Sequence, residues 1–83
     1  MDVQTDVIGI LGQVLGLGER TRDFGHDTHL LGAVPELDSM AVATLITSIE
    51  DHFGFVIDDD EIDGATFATV GSLVAFVQSK LAV

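Results

Sequence analysis

Ser39 follows an acid and opens an apolar-periodic run in Leu37-Asp38-Ser39-Met40. A serine so placed ordinarily caps a helix, its oxygen accepting a hydrogen bond from a free N–H of the first turn. A nucleophilic role has little behind it. The Gly-x-Ser-x-Gly turn is absent, and no motif ties Ser39 to His26, His29 or His52 as a base. His52 falls at the edge of a predicted core face, which points to packing. His26 and His29 flank Asp27 at a spacing that suits a metal, but no third convincing ligand accompanies them. The acids invite a calcium reading. With Asp59 as first ligand of an EF-hand loop, Glu61, Asp63 and Gly64 take the third, fifth and sixth positions. The twelfth position needs a bidentate Glu and holds Val70, so the pattern fails. Neither a catalytic residue nor a metal site is expected.

The 83 residues suit one small domain spanning 1–83, near the size where a single core just suffices. An apolar content of 47% argues against disorder despite the charge. Cysteine is absent, which removes a disulfide framework, a thiolate nucleophile and a Cys-based zinc site. The start has neither a basic region nor a long apolar run, so no signal peptide or membrane span is read and a cytoplasmic protein is expected. Fourteen acids against three bases give a formal charge of −11. Such a surface repels phosphate backbones, so nucleic-acid binding is not expected; it favours basic protein partners and steers their encounter.

Helical periodicity supplies the elements that must position Ser39. Val3, Val7, Ile10, Leu11 and Val14 share one face, predicting a first helix from about Asp2 to Leu15. Gly9 and Gly12 lie on its other side and weaken it, each by about 1 kcal/mol relative to Ala. Glu19 to Leu37 has no sustained period and reads as a long loop, functional or concealing a short helical turn, with Leu30, Leu31 and Val34 to pin it. A second helix is expected over Ser39 to Phe53, where Val42, Leu45, Ile46, Ile49 and Phe53 form a core stripe about 100° wide. Gly54 stops it. Asp58-Asp59-Asp60-Glu61 reads as the acidic entry to a short helix through Ile62. Thr69 is expected to cap a last helix from Val70 to about Leu81, with Val70, Leu73, Val74, Val77 and Leu81 inward. The predicted class is all-α: a small four-helix bundle of three longer helices and one short, with a long first loop.

Glu36-Leu37-Asp38-Ser39-Met40, followed by Ile49-Glu50-Asp51-His52-Phe53-Gly54, resembles the acyl carrier protein family, and the resemblance covers nearly the whole chain. In that family Asp-Ser-Leu, sometimes Asp-Ser-Met, carries 4′-phosphopantetheine on the serine. The resemblance implies a phosphodiester to Ser39 and an arm whose thiol holds acyl groups as thioesters, supplying the sulfur that this chain lacks. A helix N-terminus suits such a link, since its free N–H groups and dipole favour a phosphate. By the same resemblance Asp38 orients the phosphopantetheinyl transferase and its metal, and Met40 sits on a docking face. That face continues over Ala43, Thr44, Thr47, Glu50 and Asp51. Ile57, Ile62, Phe67 and the last helix line the core into which a short acyl chain folds. The implied protein is a monomeric carrier without its own catalysis, served by the transferase and by acyl-activating ligases, acyltransferases or synthases of fatty-acid or polyketide biosynthesis.

The departures matter. Carriers of fatty-acid synthesis commonly place acids on the exposed first half of this helix; here Ala41 and Thr44 stand there, and acids return at Glu50 and Asp51. Leu31-Gly32-Ala33-Val34-Pro35-Glu36-Leu37 also makes a longer approach to Asp38. Both departures suggest a specialised carrier, and the run Pro35-Glu36-Leu37-Asp38-Ser39-Met40-Ala41-Val42, with Phe67-Ala68-Thr69-Val70-Gly71-Ser72-Leu73, resembles small carriers associated with exosortase and exopolysaccharide gene clusters. A peptidyl or aminoacyl carrier has the same serine logic, although a chain that begins with Met and ends without a linker favours a discrete acyl carrier. The alternative outside the carriers is an unmodified helical interaction module.

Overall fold

Asp2 starts the first helix by accepting from the N–H groups of Gln4 at 3.1 Å and Thr5 at 3.4 Å, so α1 runs Val3–Leu15. The structure is a computed structural model that describes residues 2–82, the Asp59 side chain excepted. α2 spans Ser39–Phe53 and ends at Gly54, whose φ of 77° lets its N–H reach the Glu50 carbonyl at 2.8 Å. α3 spans Val70–Leu81. The expected fourth, short helix is a single 3-10 turn, Asp59–Glu61. The long loop does conceal a helical turn, a 3-10 segment over Gly18–Asp23. Among the described residues there is no strand, only an isolated antiparallel bridge between His29 and Thr69.

α1 packs against both other helices, so its stripe lies at the centre of the fold. Val7 and Leu11 meet Leu45 and Ile49 of α2 and Leu73 and Val77 of α3 in one buried cluster. The outer members of the expected stripes, Val14, Val42, Ile46 and Phe53, are half-buried. Leu81 is exposed rather than inward, because it lies at the end of α3, beyond the core. Gly12 has a further role. A Cβ there would lie 2.9 Å from Thr21 Cγ2, so its bareness lets the Gly18–Asp23 turn seat against α1.

The first loop is held by backbone bonds that local periodicity does not reveal. Leu30 and Leu31 donate to the carbonyls of Ala68 at 2.9 Å and Phe67 at 3.1 Å. The chain turns directly afterwards, with the Ala33 and Val34 N–H groups donating back to the Leu30 carbonyl at 3.1 and 2.8 Å. Leu30 and Val34 are buried and pin the loop as expected, joined by Leu37, while Leu31, also expected to pin it, is 48% exposed. The same loop closes the start of α3. The Val70 and Gly71 N–H groups donate to the carbonyls of Thr28 at 2.9 Å and His26 at 2.7 Å. Those of Thr69 and Ser72 are taken by each other's hydroxyls at 3.0 Å, a capping box with Ser in the third position. All four leading donors of α3 are thereby satisfied.

Candidate functional site

The N-terminus of α2 is built differently. Asp38, not Ser39, is the N-cap: its Oδ1 accepts from Ala41 N–H at 2.8 Å and its carbonyl from Val42 N–H at 2.9 Å. Ser39 is the first helical residue, exposed, and its hydroxyl makes no hydrogen bond among the described residues. The N–H groups of Ser39 and Met40 also find no acceptor among the described residues, in contrast to the closed start of α3. An exposed hydroxyl beside two open N–H groups at the positive end of a fifteen-residue helix fits a phosphodiester on Ser39. The same geometry corrects the capping role expected for Ser39. An aspartate does that work one residue earlier.

Beyond Ser39 the helix presents an uncharged surface as far as Ser48. Met40 is 80% exposed, and Ala43, Thr44 and Thr47 are exposed beside it. Both threonine hydroxyls donate back to carbonyls of their own helix, Thr44 to Met40 at 3.1 Å and Thr47 to Ala43 at 3.2 Å. The face therefore offers methyl groups rather than free hydroxyl donors. Glu50, expected on the docking face, is half-buried and its Oε2 accepts from Ile57 N–H at 2.7 Å, tying the following segment to α2. Asp51 is exposed. The tie stands beside Val56, 73% exposed, an apolar surface residue that residue type alone could not distinguish from its neighbours Phe55 and Ile57, which turn toward the protein.

Two of the three cations are committed to acids on distant segments. Lys80 Nζ holds both oxygens of Glu61 at 2.9 Å and lies 5.9 Å from the Phe55 ring centre. The hydrogen bond from Lys80 keeps the Glu61 carboxyl below its ordinary value. Arg20 forks onto Glu36, Nη1 to Oε2 and Nη2 to Oε1 at 3.2 Å, and likewise holds the Glu36 carboxyl down.

The histidines are not brought to Ser39 as bases. The His26 ring lies over Gly71, where a Cβ would come within 2.5 Å of Nε2, and His29 bridges to Thr69, so both serve loop docking. His52 is exposed on α2, with Nε2 3.6 Å from Asp6 of α1 and its ring edge-on to Phe53. Among the described residues no three His, Asp or Glu side chains converge as metal ligands; the Asp59 side chain, the first position of the rejected EF-hand pattern, lies outside them. Ile57 and Phe67 are buried and Ile62 half-buried, and no cavity opens among the described residues. No helix among them is long and apolar enough to cross a membrane.

Comparison with known proteins gives this geometry its context. The family model described as phosphopantetheine attachment site matches residues 5–77. An acyl carrier protein of Exiguobacterium sp. (strain ATCC BAA-1283 / AT1b) is 35% identical over 81 residues, covering 98% of this chain and 91% of the relative. The solution NMR structure of a holo acyl carrier protein from Nitrosomonas europaea superposes with a TM-score of 0.93 at 51% identity, covering all of both chains. With a matched family, a sequence relative covered over 91% of its length and a shared fold, this chain belongs to the acyl carrier protein family, with 4′-phosphopantetheine as its covalent cofactor.

Proposed function

We propose that Ser39 is the attachment residue, on one observation: its exposed hydroxyl opens α2 beside two N–H groups that find no acceptor among the described residues. Attached there, the group supplies a thiol that holds acyl cargo as a thioester. Ser39 provides the oxygen that a phosphopantetheinyl transferase joins to the phosphate, and the Ser39 and Met40 N–H groups receive the resulting negative charge. Asp38 keeps the helix start rigid and stands beside the serine for the transferase and its metal. The chain performs no catalysis of its own and works as a cytoplasmic monomer, delivering cargo to acyl-activating ligases, acyltransferases or synthases. Nucleic acid is not among its partners. Acyl cargo shelters by parting Ile62 from the buried Ile57 and Phe67.

Met40, Ala43, Thr44 and Thr47 form the docking face, and its lack of charge supports a specialised carrier of the exosortase or exopolysaccharide-cluster kind. Exposed ion pairs are individually weak, so their loss changes discrimination among partners more than binding as such. Aminoacyl cargo is the second reading within the same chemistry. The test is intact mass after incubation with a broad-range transferase, coenzyme A and Mg²⁺. We expect one phosphopantetheine on the wild type and none on Ser39→Ala. An unmodified wild type with several transferases would promote the unmodified interaction module. The holo protein is then offered to general fatty-acid elongation enzymes, where slow turnover that improves on Ala41→Asp with Thr44→Glu supports specialisation. Turnover equal to that of a housekeeping carrier sinks it.

A further inference from the structure

We propose that Arg20 and Glu36 form a clasp that positions Ser39 for phosphopantetheine transfer, an assignment that rests on Ser39 being the attachment serine. The clasp connects α1 to the serine through a chain of side-chain and backbone contacts. Thr21 seats on α1 at Gly12, and its hydroxyl donates to Gly18 O at 3.0 Å, which fixes the 3-10 turn. Arg20 stands on that turn, its N–H donating to the carbonyl of buried Leu17 at 3.2 Å. Its guanidinium forks onto Glu36, sixteen residues away. The Glu36 carbonyl accepts from Asp38 N–H at 3.1 Å, and Asp38 in turn caps α2 through Ala41 and Val42. Ser39 follows directly.

The approach to Asp38 is otherwise held by its own local bonds, Val34 N–H to Leu30 O and Leu37 N–H to Val34 O, and by burial of Val34 and Leu37. Pro35 and Glu36 are exposed. Among the described residues Glu36 makes the one side-chain ion pair that ties this segment to the α1 side; Lys80 is committed to Glu61, and Arg22 pairs locally with Glu19. A planar bidentate fork fixes orientation as well as distance, which a lysine point charge would not. An exposed pair adds little to global stability, so its effect is local to the segment it orients. The lowered Glu36 carboxyl keeps the clasp ionised at neutral pH.

Transfer from coenzyme A to the apo protein tests this at low ionic strength, where surface pairs are least screened. Arg20→Gln and Glu36→Gln should each lower the transferase kcat about two- to fivefold, the scale of one exposed ion pair, with KM and melting temperature unchanged. The double variant should be no slower than either single. Exchanging the pair, Arg20→Glu with Glu36→Arg, should recover most of the rate. A loss in Glu36→Gln alone, seen in KM, would make Glu36 a direct transferase contact and overturn the clasp. A gain in Glu36→Gln with a loss in Arg20→Gln would leave only charge balance, which also overturns it. Amide exchange is read in the same variants: faster exchange at Ala41 and Val42 is expected, and unchanged exchange overturns the proposal. A wild type that no transferase modifies would count against Ser39 instead, while the exchange measurement still decides the clasp.

Discussion

Asp38 and Ser39 are neighbours with separate duties, and their variants should behave differently. Asp38 holds the Ala41 N–H, so Asp38→Ala should cost about 0.5–2 kcal/mol, the usual value of an N-cap. Ser39 holds nothing among the described residues, so Ser39→Ala should lie within about 0.5 kcal/mol of wild type. Urea denaturation of the apo forms checks both, and equal losses would return the cap to Ser39. Sequence pattern located this pair but divided the work wrongly. Both residues are good N-caps by type, and which one turns its oxygen back depends on backbone angles; Asp38 is extended at φ −106°, while Ser39 is already helical. Glu50 is a similar case. Its carboxylate looks like surface charge until the Ile57 N–H, seven residues on, is seen to reach it.

At the scale of elements, the three long helices were legible because their stripes recur over three or four turns and glycine or a cap marks their ends. The loop was not, because its order comes from bonds between residues 26–31 and 67–71, about forty positions apart. Local periodicity carries no record of such pairing. The glycines of α1 show the same division. Gly9 and Gly12 look equivalent in sequence, yet a Cβ at Gly9 meets nothing within 4 Å while one at Gly12 meets Thr21 at 2.9 Å. Gly9→Ala should therefore gain about 0.5–1 kcal/mol from helix propensity alone. Gly12→Ala should forfeit that gain, because the β-branched Thr21 is stiff and its hydroxyl is held by Gly18. Chemical denaturation compares them directly. Equal stabilisation would mean that the 3-10 turn yields freely and is no firm base for Arg20.

For the whole molecule the governing quantity is a charge of −11 on a body of 32 × 27 × 20 Å. Raising salt from about 0.01 M to about 1 M shortens the Debye length from about 30 Å to about 3 Å, from the span of the molecule to a contact distance. At pH 7 this should remove more repulsion than attraction and raise the melting temperature by about 5 °C. Millimolar Mg²⁺ should act more strongly without a stoichiometric site. Near the sequence isoelectric point of 4.1 the balance changes. Glu36 and Glu61 have native values below the ordinary 4.5, held there by Arg20 and Lys80. Their contribution is whole above that value and lost only as pH falls through the lower native one. At the isoelectric point most of the net repulsion is gone, while the lowered Glu36 and Glu61 carboxyls stay ionised to a greater degree than unpaired ones. Salt then screens attraction alone, so the melting temperature should stay level or fall. Thermal melts across salt at both pH values decide the matter: an equal rise at both would mean that something other than self-repulsion limits stability.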